Sequence, residues 1–152
     1  MLRAGDPAPD FELTDESGAP RRLSALLADG PVVLFFYPAA NSPGCTAESC
    51  HFRDLAAEFA AVGAQRVGIS ADGIEAQQRF SSRHGFGFPL LSDPDRTVAD
   101  AYGVKRGLSL LPNKRATVVI GADGRIIDVI TSEVRMNVHA DRALEALGGA
   151  GH

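Results

Sequence analysis

The chain has 152 residues, of which 45% are hydrophobic and 22% charged, with a net charge of −4. That length favours one domain, since domains usually run to about 100–200 residues, and it buries roughly two-thirds of the unfolded surface without needing a metal or disulfide. The acidic balance argues against a general affinity for nucleic acid or anionic membrane, and two cysteines, Cys45 and Cys50, are too few for a disulfide-stapled secreted scaffold.

The stretch from Met1 to Pro7 has no apolar targeting segment. The longest apolar run, Val32 to Tyr37, falls far short of the roughly 20 residues of a membrane span. A cytoplasmic protein without membrane contact is expected. Phe11 and Leu13 alternate with polar residues, and the turn Asp15-Glu16-Ser17-Gly18 leads back to Arg21-Arg22-Leu23, predicting an N-terminal hairpin. Val32 to Tyr37, opened by Pro31, is too continuously apolar to be half-exposed and predicts a central strand buried on both faces. From Cys45 to Val62, Phe52, Leu55, Ala56 and Phe59 recur at helical spacing until Gly63. Arg66 to Ser70 predicts a strand, Ile74 to His84 a helix stopped by Gly85, and Pro94, following Asp93, the start of a helix running to Tyr102. Ala116 to Ile120 and Arg125 to Thr131 flank the hairpin turn Ala122-Asp123-Gly124, and Val138 to Leu147 predicts a closing helix. Residues 148–152 read as a frayed tail. This order is that of an α/β, thioredoxin-like fold: a central mixed sheet flanked by helices, with an N-terminal β-hairpin extension, in one domain spanning 1–152.

The chemistry concentrates between the buried strand and the first long helix, in Tyr37-Pro38-Ala39-Ala40-Asn41-Ser42-Pro43-Gly44-Cys45-Thr46-Ala47-Glu48-Ser49-Cys50. Ser42 suits an N-cap and Pro43 the first helical position, which places Cys45 in the first turn. There the unpaired N–H groups and the positive end of the helix dipole favour a thiolate. The Ser42 hydroxyl stands three residues back, within reach of the thiolate or of an incoming oxygen. Five residues along an ideal helix rise about 7.5 Å and turn about 500°, setting the Cα atoms of Cys45 and Cys50 roughly 8.6 Å apart. A disulfide needs less than about 7 Å. The pair therefore suits a redox cycle with local unwinding better than a static bridge.

Other readings of these residues are blander. Paired cysteines are often just small buried hydrophobes, although the Ser-Pro-Gly lead-in argues against that here. A metal site drawn from Cys45, Cys50 and His51 lacks the second ligand pair of a zinc site. No Cys-x-x-Cys and no phosphate-binding glycine loop occur. Lys105-Arg106 and Lys114-Arg115 are ordinary surface charge on sequence grounds.

Pro38-x-x-x-Ser42-x-x-Cys45 resembles the Pro-x-x-x-Thr/Ser-x-x-Cys motif of the peroxiredoxins. Pro43 to Cys50 is similar to the PrxQ, or bacterioferritin comigratory protein, branch of that AhpC/TSA superfamily, in which a second cysteine follows five residues later. The likeness extends through Gly5-Asp6-x-Ala8-Pro9-x-Phe11, Val33 to Pro38, Phe52-Arg53-Asp54, Leu91-Ser92-Asp93 and Lys114 to Ile120, nearly the whole chain. It implies a peroxidatic Cys45, a resolving Cys50, a Pro38 that shields the thiolate and a Ser42 that holds the peroxide. It further implies that Arg115 stabilises the thiolate and the developing charge, and that Glu48 orients Arg115. Nothing in the sequence alone singles out Arg115 among thirteen arginines. Ser42 stands where the family more often has threonine, keeping the hydroxyl and losing a methyl.

The implied activity is reduction of hydrogen peroxide and organic hydroperoxides through a Cys45 sulfenic acid and an intramolecular Cys45–Cys50 disulfide, which thioredoxin or a similar dithiol reduces. No cofactor or metal is implied, and a resolving cysteine within the chain favours a monomer. A peroxide-sensing redox switch or holdase would use the same thiols without turnover.

Overall fold

The computed structural model describes residues 2–105, 114–133 and 135–148. Within these residues seven strands form one mixed sheet: β1 Glu12–Asp15, β2 Pro20–Arg22, β3 Val32–Phe36, β4 Gln65–Ser70, β5 Leu90–Ser92, β6 Ala116–Ile120 and β7 Ile126–Thr131, in the order β2-β1-β5-β4-β3-β6-β7. β3, β4 and β5 are parallel neighbours, whereas β6 and β7 extend the sheet antiparallel on one side and the β1–β2 hairpin on the other. Among the described residues six helices surround it: α1 Leu23–Leu27, α2 Pro43–Asp54, α3 Ala56–Ala61, α4 Ile74–His84, α5 Thr97–Ala101 and α6 Val138–Ala146. This is the α/β thioredoxin-like arrangement expected, hairpin extension included.

β3 is the buried spine. Every residue from Val32 to Tyr37 is fully buried, and strand alternation divides them between two cores. Val32, Leu34 and Phe36 join Val67, Ile69, Leu91, Val118 and Tyr102 on one face. Val33, Phe35 and Tyr37 face Cys45, Phe52, Phe59, Phe80 and Leu144 on the other. Gly68 lets the aromatic layer close on this second face. A Cβ there would lie 2.9 Å from Leu90 and 3.0 Å from the Phe35 ring.

Four local details depart from the sequence expectation. The helix foreseen over Cys45–Val62 is two helices meeting at Leu55, whose φ of −96° and ψ of 23° interrupt the regular turn. Arg66 on β4 supplies the reason, donating from Nη1 to the carbonyl of Phe52 at 2.9 Å at the end of α2. Pro94 does not open a helix; α5 starts at Thr97, after Arg96 in the left-handed region, and the Asp93 carboxylate accepts from the Ala99 N–H at 2.9 Å. β5 and α1 were not foreseen, being only three and five residues long. Of the expected tail, residues 149–152 lie outside the described residues.

Candidate active site

The chain leaves β3 at Tyr37, passes half-buried Pro38 and turns into α2 at Ser42. Asn41 makes that turn at φ 64°, a left-handed conformation that asparagine tolerates better than most side chains. The loop is pinned from β4's carboxyl end, where Asp72 accepts the Ala40 N–H at 2.7 Å and the Ser70 hydroxyl at 2.7 Å. Gln77 donates to Ser70 Oγ at 3.0 Å and to the Leu91 carbonyl at 2.8 Å, and accepts the Tyr37 hydroxyl. Burial, foremost, raises the Tyr37 pKa well above its ordinary value, so this phenol stays a donor.

Pro43 occupies the first helical position as expected, and the Thr46 N–H makes the first helical bond, to the Ser42 carbonyl at 2.9 Å. Ser42 takes the N-cap position, but its hydroxyl does not cap the helix. It donates to the Ala39 carbonyl at 2.9 Å, which closes the loop on itself. Cys45 is a fully buried free thiol in the first turn, where helix N–H groups have no intrahelical acceptor.

Glu48 lies three residues on, on the same helix face, and both side chains meet Arg115, the residue just before β6. One arm of the guanidinium, Nη2, donates to Cys45 Sγ at 3.4 Å; the other, Nη1, donates to Glu48 Oε1 at 2.6 Å. The planar fork thus spans the two groups at a fixed angle. Arg115 is only 6% exposed, and its own N–H donates to Glu133 Oε1 at 3.0 Å. Gly44 makes room for it: a Cβ there would sit 3.1 Å from Arg115 Nη2 and 3.4 Å from Met136 Sδ.

A second layer backs Glu48. His139 Nε2 lies 2.9 Å from the Ser132 carbonyl and must donate to it, which leaves Nδ1 to accept the Thr117 hydroxyl at 2.8 Å. Burial, foremost, lowers the His139 pKa, in keeping with a neutral ring. Glu48 Oε2, 3.6 Å from Nδ1, has no hydrogen-bond donor among the described residues. Burial pushes the Glu48 carboxyl up from an ordinary 4.5 to about 8 against the pull of Arg115. Glu48 Oε1 thus holds one arm of Arg115 while the other arm rests on Cys45.

This has a measurable consequence. The folded protein holds a Glu48 proton that the unfolded chain loses near pH 4.5. Its contribution to stability is complete below about pH 4.5 and is lost as pH rises through about 8. The melting temperature of the parent, minus that of Glu48→Gln, should therefore fall steadily across that window in calorimetry. A flat difference would contradict the raised value.

Cys50 is half-buried, farther along the same unbroken α2, and also free. Its Sγ faces α4, 3.9 Å from His84 Nδ1. His51 turns the other way, to Asp141 on α6 at 2.8 Å. The three residues of the conceivable metal site thus point to three different partners. Of the residues singled out from sequence, Cys45, Arg115 and Glu48 converge, while Ser42 and Pro38 lie on the adjoining loop and Cys50 stands apart. Asp72, Gln77 and Thr117 were missed; His84 and His139, which the sequence alone suggests are solvated or capping residues, are respectively a partner of Cys50 and a fully buried partner of Thr117. Only Asp72 carried a signal, since Ser70-Ala71-Asp72 follows a parallel strand at its carboxyl end, where α/β sheets place their sites.

A buried cysteine at a helix start under an arginine fork, on a thioredoxin-like sheet, defines a thiol-based redox protein. Residues 4–129 match the AhpC/TSA family, and the chain belongs to it. The crystal structure of peroxidoxin BcpB from Mycobacterium tuberculosis superposes with a TM-score of 0.94 at 57% identity, covering 97% of each chain. Peroxiredoxin Bcp of Bacillus subtilis is 34% identical over 151 residues, 96% of this chain and 95% of its own. The bacterioferritin comigratory protein of Xanthomonas campestris, whose structure was described for its alkyl peroxide reduction activity, matches with a TM-score of 0.83 at 32% identity, covering 91% and 90%. The chain is a peroxiredoxin, a peroxidase of the PrxQ/Bcp branch.

Proposed function

We propose that the chain is a two-cysteine peroxidase that reduces hydrogen peroxide and organic hydroperoxides and is recycled by thioredoxin or a similar dithiol. The observation that carries the chemistry is the Arg115 fork, with one arm on Cys45 Sγ at 3.4 Å and the other on Glu48. The Cys45 thiolate attacks the nearer peroxide oxygen. An S–O bond forms, the O–O bond breaks, and the departing alkoxide or hydroxide takes a proton, leaving Cys45 as sulfenic acid. Arg115 and the first-turn N–H groups stand where charge grows on the oxygens, as in an oxyanion hole. Ser42 Oγ, tied to the Ala39 carbonyl through its hydrogen, keeps lone pairs to accept from a hydroperoxide O–H. Pro38 on the same loop shields the thiolate.

Cys50 then condenses with the sulfenic acid, releasing water. In a regular helix the two Cα atoms stand roughly 8.6 Å apart, too far for a disulfide, so the first turns of α2 must open. A dithiol reductant restores both thiols by exchange. On this reading one copy of the chain completes the cycle.

Turnover coupled to thioredoxin, thioredoxin reductase and NADPH tests the reading. NADPH consumption should depend on both peroxide and thioredoxin, and Cys50→Ser should stop after one turnover. Equal thioredoxin-linked turnover in Cys50→Ser would overturn the role given to Cys50.

A further inference from the structure

His84 ends α4, away from Arg115 and Glu48, and its Nδ1 lies 3.9 Å from Cys50 Sγ. That is hydrogen-bonding distance for sulfur. Phe80 meets the imidazole edge-on at 5.5 Å between centroids, and Phe86 stacks on it at 5.4 Å with planes 23° apart. The two rings hold the imidazole in orientation. The His84 carbonyl accepts Arg53 Nη1 at 2.8 Å, tying α4 to α2 beside the cysteine. A phenylalanine would fill the same stack, but only an imidazole brings a proton acceptor to the sulfur.

The chemistry of Cys50 calls for one. A thiolate, not a thiol, attacks a sulfenic sulfur, and an unassisted cysteine is only a few per cent ionised at neutral pH. The Cys45 thiolate has Arg115, whose two arms are committed to Cys45 and Glu48, while Cys50 Sγ faces His84. On its own helix, Arg53 acts on Cys50 electrostatically and is itself paired with Asp54 at 2.9 Å, while His51 is turned to Asp141. From α4 come His84 itself and its chain neighbour Arg83, which is exposed.

We propose that His84 is a catalytic residue of the resolving step, accepting the Cys50 thiol proton at Nδ1 while α2 is still folded. This rests on the two-cysteine reading above. With the proton on Nε2, Nδ1 is free to accept. The Cys50 thiolate then attacks the Cys45 sulfenic sulfur. The S–S bond forms and the S–O bond breaks; Cys50 is oxidised, the sulfenic sulfur is reduced, and hydroxide leaves with the S–O electron pair. The imidazolium returns its proton through solvent, giving water and neutral His84.

The test uses the full chain. In a Cys45→Ser background, iodoacetamide alkylation of Cys50 is followed from about pH 6 to about pH 9, the range that spans imidazole and thiol ionisation. The parent should react roughly tenfold faster near neutral pH than either His84→Phe or His84→Asn, with the difference closing as pH passes the ordinary thiol range. In the two-cysteine chain, stopped-flow after a peroxide pulse should show the same slowing in the second, peroxide-independent phase, whereas a folding defect would slow both phases. His84→Phe keeps the ring stack, so agreement between the two variants separates lost proton acceptance from lost packing. Superimposable alkylation profiles, or unchanged resolution, would overturn the assignment. Absence of any Cys45–Cys50 disulfide in the parent would sink the two-cysteine reading instead, and with it a resolving role for His84, even if the alkylation difference persisted.

Discussion

Replacing Cys45 with serine is expected to remove peroxide consumption almost completely, by a factor on the order of 10³ or more, as loss of a nucleophile does elsewhere. A serine hydroxyl occupies nearly the same volume but is far less ionised at neutral pH and cannot pass through a sulfenic acid. The substitution tests chemistry more than folding. Cys45 is packed against apolar neighbours and accepts from the Arg115 guanidinium, which a serine oxygen also accepts from. Stopped-flow peroxide consumption reads the rate, and the melting temperature reports the fold. Retained consumption in a folded Cys45→Ser protein would mean that another group attacks the peroxide.

Arg115→Ala should lower the second-order rate with peroxide by roughly 10²–10³, the usual cost of removing one preorganised donor from a site of developing charge. Arg115→Lys separates charge from shape. An ammonium keeps the positive charge but cannot reach Cys45 Sγ and Glu48 Oε1 together, as the two guanidinium arms do at 3.4 Å and 2.6 Å. Its rate should lie between those of the parent and Arg115→Ala. A lysine variant as fast as the parent would show that charge suffices and that the Glu48 contact does no orienting. Because the partner left behind is a buried carboxyl already raised to about 8, it can stay protonated when the cation is removed, so these variants should remain folded at neutral pH.

The parts of this architecture visible in the sequence are those set by neighbours in the chain. Val32 to Tyr37 declares a strand buried on both faces, and Ser42-Pro43 declares a helix start, so the placement of Cys45 follows from local chemistry. The break at Leu55 comes from Arg66, eleven residues later, reaching back to the Phe52 carbonyl. The three-residue β5 is held by its pairing with β4 and β1 and leaves little periodicity of its own. The site divides the same way. Cys45 and Cys50 are legible from spacing, whereas Arg115 stands seventy residues from the sulfur it serves and came only through family resemblance. His139 and Thr117 are still farther away in the chain, and no pattern of residue types announces that they meet. Ser42 sits at the N-cap as its residue type suggests, but its hydroxyl serves the Ala39 carbonyl because the loop folds back to offer one.

If the two-cysteine cycle operates, one peroxide molecule converts the two free thiols of α2 into one bond. Reduced protein is mixed with a single equivalent of peroxide, quenched with an alkylating agent and mapped by mass spectrometry. A cross-linked peptide joining Cys45 to Cys50 is expected, with neither residue alkylated. Cys45 recovered as sulfenic or sulfinic acid beside a freely alkylated Cys50 would contradict it.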